Sequence, residues 1–196
     1  MSPILGVFAS SIQNSIANAT SYESIATTTL TTTTSTVTFS SIPQTYQHLQ
    51  LRMWAKSDRA NSSGNTVFAY ANGDDAPTTP TNYWTHGLTG DGSSATSGSL
   101  GNTAGANYGF YVGTALGATP TSIGSVAIID FLDYSNTSKY KTMRSLSGED
   151  SNSVNGTISL RSSLWSNTAA ITSLQLICLS YNFTQYSKFA LYGIRG

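Results

Sequence analysis

The stretch His48–Ala55, HLQLRMWA, decides the fold class: Leu49, Leu51 and Met53 fall on one parity, and His48, Gln50 and Arg52 on the other. A period of two is the pleat of a β-strand with one dry face and one wet face, because successive side chains leave a strand on opposite sides. Working outward, the same alternation recurs around 37–39, 66–71, 157–160 and 188–194. Two runs break it. VAIIDF (126–131) and LQLICL (174–179) are apolar on both parities, the pattern of central strands covered on two faces. The Thr-rich tract 27–38 has high β propensity and little to bury, which predicts an edge strand and hairpin. Helical spacing at i, i+3, i+4 and i+7 is nearly absent.

Composition agrees with this reading and removes several classes of function. Only 9% of the 196 residues are charged, against roughly 25% in an average soluble domain. The 31 Ser and 28 Thr make up close to a third of the chain, a composition that does not build long helices. Nine cations against nine anions give a net charge of zero, so there is no electrostatic footprint for nucleic acid. With 39% hydrophobic and 11% aromatic residues, the chain can build one core and is not disordered. A single cysteine, Cys178, rules out an internal disulfide and a cysteine-rich metal site. No run approaches the ~18 apolar residues of a membrane span. The apolar run 4–9 lacks the cationic flank of a secretory signal, so it is read as retained.

Many short strands punctuated by turn residues predict an all-β fold, specifically an antiparallel β-sandwich of jelly-roll type with long Gly/Ser-rich loops. Residues 1–20 are expected to form an N-terminal arm and 21–196 a single β-sandwich domain. The longest expected loop is 88–109, with six glycines spaced through it. Twenty structureless residues in a compact domain imply a functional loop or a segment ordered by a neighbour.

Candidate chemistry is sparse. His48 and His86 have no partner at metal-ligand spacing, and His48 reads as the polar residue of a strand. Asp130 and Asp133 are the one carboxylate pair that resembles a glycosidase arrangement. Ion pairing with Lys139 or Lys141 is the competing reading. No G-x-S-x-G elbow marks a serine nucleophile. Asn72, Gly73, Asp74 and Asp75 cluster oxygen ligands, yet the Asn-Gly pair alone predicts a hairpin turn. Tyr83, Trp84 and His86, with Asp74, make an aromatic platform suited to stacking on a sugar. The simpler reading has Tyr83 and Trp84 pinning the adjoining loop to the sandwich. Trp165 and the run FALYGI (189–194) read as core anchors.

An ordered set of phrases resembles the small structural proteins of tailed-bacteriophage virions, a family of capsid-associated and tail proteins. The phrases are ILGVFASSI (4–12), SYESIATTTL (21–30), FSSIPQTYQHLQLR (39–52), NGDDAPTTPTNYWTHGLTGDG (72–92), IIDFLDYSNTSKYKTMRSLSG (128–148), LWSNTAAITSL (164–174) and FALYGIRG (189–196). The resemblance implies a non-enzymatic virion component located in the particle and assembled in the host cytoplasm. It would be a capsid decoration, cement or fibre subunit, with no catalytic residue, cofactor or metal. Its expected partners are other virion proteins and further copies of itself, a trimer being favoured, with neither nucleic acid nor membrane. Ile4, Leu5, Val7 and Phe8 are the expected assembly anchor. The alternative is a glycan or receptor-binding module at a tail or fibre tip using Asp74, Tyr83, Trp84 and His86, and a depolymerase using Asp130 and Asp133 ranks third.

Overall fold

The alternating stretches become strands. The computed structural model describes residues 21–61, 63–74, 82–101, 109–118, 122–151 and 156–196. The expected arm, with Ile4, Leu5, Val7 and Phe8, lies outside the described residues. Among those described there is no helix. The strands are β1 (Tyr22–Thr29), β2 (Thr36–Phe39), β3 (His48–Ala55), β4 (Asn65–Ala71), β5 (Tyr83–Gly90), β6 (Ala95–Gly101), β7 (Phe110–Ala115), β8 (Ser125–Leu132), β9 (Lys141–Asp150), β10 (Gly156–Trp165), β11 (Leu174–Cys178) and β12 (Lys188–Ile194).

They form two antiparallel sheets. The larger runs β1-β12-β3-β8-β9-β10-β5-β6, and the smaller runs β2-β11-β4-β7. The core lies between them. Leu49, Leu51 and Met53 of β3, Phe189 and Leu191 of β12, and Ile129 and Phe131 of β8 face Val67 and Ala69 of β4 and Leu174 and Leu176 of β11, all buried. Aromatic rings bind the layers at one end. Phe110 stands edge-on to Phe131 at 5.3 Å and to Tyr83 at 5.2 Å, and Trp165 stacks on Tyr83 at 6.4 Å. Such pairs each add about 0.5–1.5 kcal/mol beyond the area they bury. Trp165, Phe189 and Leu191 are core anchors, as expected from the sequence.

Three expectations need correction. The Thr-rich tract is not one edge hairpin. Among the described residues β1 and β2 are both edge strands but of different sheets, because β1 pairs there only with β12 and β2 only with β11. Buried Leu30 holds the crossing, its N–H donating to the Ser187 carbonyl at 2.9 Å. The expected loop 88–109 begins as strand, since β5 continues to Gly90 and β6 pairs with it from Ala95. Asp91 nucleates that hairpin by accepting the N–H groups of Ser93 at 2.9 Å and Ser94 at 2.7 Å, with Gly92 at a φ of +87° that suits glycine. VAIIDF is indeed central, but it is covered on one face only: Ala127, Ile129 and Phe131 are buried while Val126 and Ile128 are exposed.

Asn72 and Gly73 form the expected turn with positive φ at both residues, closed by the Asp74 N–H on the Ala71 carbonyl at 2.9 Å. It does not join paired strands, for β4 and β5 belong to different sheets.

Candidate functional site

Three strands of the large sheet carry much of their polarity backwards. In β3 and β12 the ordinary rule holds, with apolar residues inward and His48, Arg52 and Lys188 outward. Across β9, β10 and β5 the small hydroxyl side chains face inward: Ser145, Ser147, Ser159, Ser163 and Thr85 are buried. Four large apolar ones face out: Leu146, Ile158, Leu160 and Leu88 are 47–59% exposed, while Met143, Trp165 and Tyr83 on the same strands are buried. The alternation at 157–160 is therefore a strand, as expected, with its Leu and Ile on the open side.

The hydroxyls of Thr85, Ser145, Ser159 and Ser163 are each occupied. Ser163 and Thr85 share a hydrogen bond at 2.7 Å, and Thr89 and Ser159 one at 3.0 Å. Ser145 donates to the Tyr111 carbonyl at 2.9 Å, and the Tyr111 N–H donates to Ser163 at 3.3 Å. Arg161 lies over the Tyr111 ring at 4.5 Å and donates to Thr89 at 2.9 Å. Glu149 accepts from Thr114 at 2.7 Å and Ser125 at 3.2 Å. This polar layer fastens β7, the edge of the small sheet, to β9, β10 and β5, and buried hydroxyls are stable there where they have partners. Gly87 makes room for it: a Cβ at that position would lie 2.1 Å from Arg161 Cδ and 2.7 Å from the Leu160 carbonyl oxygen.

On the outer face, strand register sets the side chains in rows. Ile128, Leu146, Leu160 and Leu88 stand directly opposite one another across four strands. The row beside it reads Val126, Gly148, Ile158, Gly90, and on the other side come Asp130, Arg144, Ser162, His86, then Leu132, Thr142, Leu164, Trp84. Asp130 pairs with Arg144 at 3.1 Å and accepts from Gln50 at 2.9 Å. The surface is pitted by three shallow depressions. One of about 260 Å³ is centred on Gly148 and walled by Val126, Ile128, Leu146 and Ile158. One of about 380 Å³ lies along Leu88, Leu160 and His86, and one of about 310 Å³ between Trp84, Thr142 and Leu164.

The residues singled out in the sequence are not brought together. Tyr83 is fully buried and its hydroxyl accepts the Ala71 N–H at 2.9 Å, so it offers no ring to a ligand. Asp74 accepts from Trp165 Nε1 at 2.6 Å and from Asn82 at 3.1 Å, on the inward side of the same strands. Trp84 and His86 lie on the opposite, outer face and are exposed. The proposed glycan quartet thus splits into two residues that pin the core and two that remain accessible. The oxygen cluster at 72–75 is taken by protein donors: Asn72 Oδ1 accepts the N–H groups of Thr172 at 2.8 Å and Ser173 at 3.2 Å. Asp75 lies outside the described residues.

Asp130 and Asp133 are separated functionally as well. Asp130 belongs to the outer face, whereas Asp133 sits at a positive φ beyond β8, pairs with Lys139 at 3.0 Å and donates its N–H to His48 Nδ1, also at 3.0 Å. Lys141 takes no carboxylate. Its buried ammonium donates to the carbonyls of Asn136, Lys139 at 2.7 Å and Thr168 at 2.9 Å, and burial pulls its pKa down. The Cys178 thiol, buried beside Asn65, is pushed up to about 11 by that burial. Among the described residues no group of three or more His, Cys, Asp or Glu gathers to hold a metal, and no helix is long and apolar enough to cross a membrane.

No family model matches the chain, and no curated protein matches it. A crystal structure of a protein of unknown function from Shewanella oneidensis is similar at 13% identity with a TM-score of 0.23; the alignment covers 79% of this chain and 61% of that one.

Proposed function

We propose that the chain is a non-enzymatic structural subunit of a tailed-bacteriophage particle, a jelly-roll decoration, cement or fibre subunit that acts by burying surface against its neighbours. The observation that carries this reading is the inverted part of the large sheet. Four strands, β8, β9, β10 and β5, turn a continuous apolar row to solvent, and three of them, β9, β10 and β5, bury hydroxyls on the inner side. Apolar patches of that extent mark contact surfaces. The near absence of charge, 9% of residues, fits a subunit held in an assembly.

The jelly-roll reading draws support from the pairing order. β1 with β12, β2 with β11, β3 with β8 and β4 with β7 nest as one antiparallel ribbon. In that reading β5, β6, β9 and β10 are additions that widen one sheet, and they carry most of the apolar outer face. Jelly rolls serve as both viral capsid and lectin domains, so the fold argument is one of analogy. The test is recovery of the chain at fixed copy number in particles banded on a density gradient, and its loss from them in Leu160→Glu. Particles that never contain the wild-type chain overturn the reading.

A second reading, a glycan-binding module, keeps one specific observation in its favour. Trp84 is 40% exposed and borders the shallow depression with His86, Thr142 and Ser162. Binding on a glycan array that disappears in Trp84→Ala would establish it.

A further inference from the structure

The outer rows of β8, β9, β10 and β5 are complementary to their own reversal. A two-fold axis parallel to the strands, passing between β9 and β10, lays each row on itself in opposite order. Val126, Gly148, Ile158, Gly90 then meets Gly90, Ile158, Gly148, Val126, so each large side chain faces a glycine. The depression of about 260 Å³ over Gly148 lies opposite Ile158 of the second copy. A Cβ at Gly148 would have only the Thr157 carbonyl within 4 Å, at 3.7 Å, so the space above it is open. The apolar row sets Ile128 against Leu88 and Leu146 against Leu160. In the polar row the Asp130 carboxylate meets His86, and Arg144 meets the Ser162 hydroxyl. The last row sets Leu132, 43% exposed, against Trp84.

We propose that this face docks on the same face of a second copy of the chain, forming a two-fold dimer of sandwiches. The inference rests on the reading of the face as an assembly surface and names its occupant. A closed isologous contact needs a self-complementary patch, and the alternation of large and small residues provides one, while the facing Asp130 and His86 supply the polar match. The area suffices. Four strands at ~4.8 Å spacing and seven residues at ~3.4 Å give roughly 460 Å² in projection. Side-chain relief and continuation onto Trp54 and Arg52 of β3 bring this toward the ~800 Å² per partner of a standard interface. Twisted sheets stacked within about 30° keep the central rows in register. The two-fold contact departs from the trimer that the sequence suggested.

The experiment is a cross-link on the full chain. Asp130 and His86 belong to β8 and β5, three strand spacings apart in one chain, or about 14 Å, beyond the reach of an internal disulfide. Because face-to-face sheets stack ~10 Å apart, wider than a disulfide spans, the Asp130→Cys/His86→Cys variant is treated with a bifunctional thiol reagent of about that span, too short for the ~14 Å within one chain. It is expected to close a covalent dimer, while either single variant runs as a monomer on a denaturing non-reducing gel. Cys178 does not interfere, being buried with its thiol pushed up to about 11. Sedimentation of the unmodified chain is expected to show dimers that Gly148→Val dissociates at least tenfold, with its circular dichroism and melting temperature retained. A wild-type chain that stays monomeric at high concentration, or a double variant that fails to cross-link within an oligomer, overturns the proposal. Loss of Leu160→Glu from particles despite a monomeric wild-type chain overturns the dimer and leaves the assembly reading standing. Normal incorporation of that variant removes the assembly reading itself.

Discussion

Leu51 and Leu160 are the same residue type in the same sheet, and they have opposite fates. Leu51, on β3, is fully buried against the small sheet; Leu160, on β10, is 47% exposed. The difference is not local, since both sit in strands whose side chains leave on alternate faces. It arises from what covers the inner face. Opposite β3 and β12 lie the apolar strands β4 and β11, whereas β9, β10 and β5 are covered by β7, which brings the Tyr111 backbone amide and carbonyl and the polar rim of its ring. Those groups need hydrogen-bond partners when buried, and Ser145, Ser163, Thr85 and Arg161 provide them or pack beside them. The hydroxyl parity turns inward because it is needed there, and the apolar parity is left outside.

The largest expected contrast is Leu51→Ala against Leu160→Ala. The first should lose about 2–5 kcal/mol through a core cavity, and the second within about 0.5 kcal/mol in the isolated chain, both read from urea unfolding. Equal losses would break the comparison. Gly87→Ala should come next, at about 1–3 kcal/mol, because its new Cβ meets the Leu160 carbonyl and the Arg161 stem. Ser145→Ala should cost about 1–3 kcal/mol by stripping the buried Tyr111 carbonyl of its donor. A neutral result would show that the hydroxyl layer is filler.

The smallest effect is a pH dependence at the β5–β6 turn. The Ser94 and Ser93 N–H groups hold the Asp91 pKa down to about 2. A lowered folded value means that the contribution is present above the unfolded pKa of about 3.9 and fades as pH falls from about 4 toward 2. The melting-temperature gap between wild type and Asp91→Ala should therefore be constant near neutrality and close in that acid window.

Much of the fold is legible from parity alone. His48–Ala55 and 188–194 become β3 and β12 with the faces that hydropathy predicts, and Trp165, Phe189 and Leu191 are buried. Parity fails where a polar layer replaces an apolar one, since nothing within ISLRSSLW (158–165) shows that its serines will meet a buried backbone. The site was illegible for the same reason. Tyr83 and Trp84 are neighbours in sequence, yet the pleat sends one into the core and the other to the surface. A signal was present in VAIIDF, whose double apolar parity predicts cover on both faces; the inner face is buried, while Val126 and Ile128 stand exposed.

The free end of the large sheet has a further consequence. Residues 95–99 of β6 are Ala, Thr, Ser, Gly and Ser, all exposed, and among the described residues the strand is hydrogen-bonded on one side only. An open edge invites another chain to add on by its backbone, and amyloid growth begins from edges that also offer interlocking side chains. This rim offers none. However crowded its copies become, a newcomer beside these five residues is held by backbone hydrogen bonds alone, without the side-chain interlock that fibrils need.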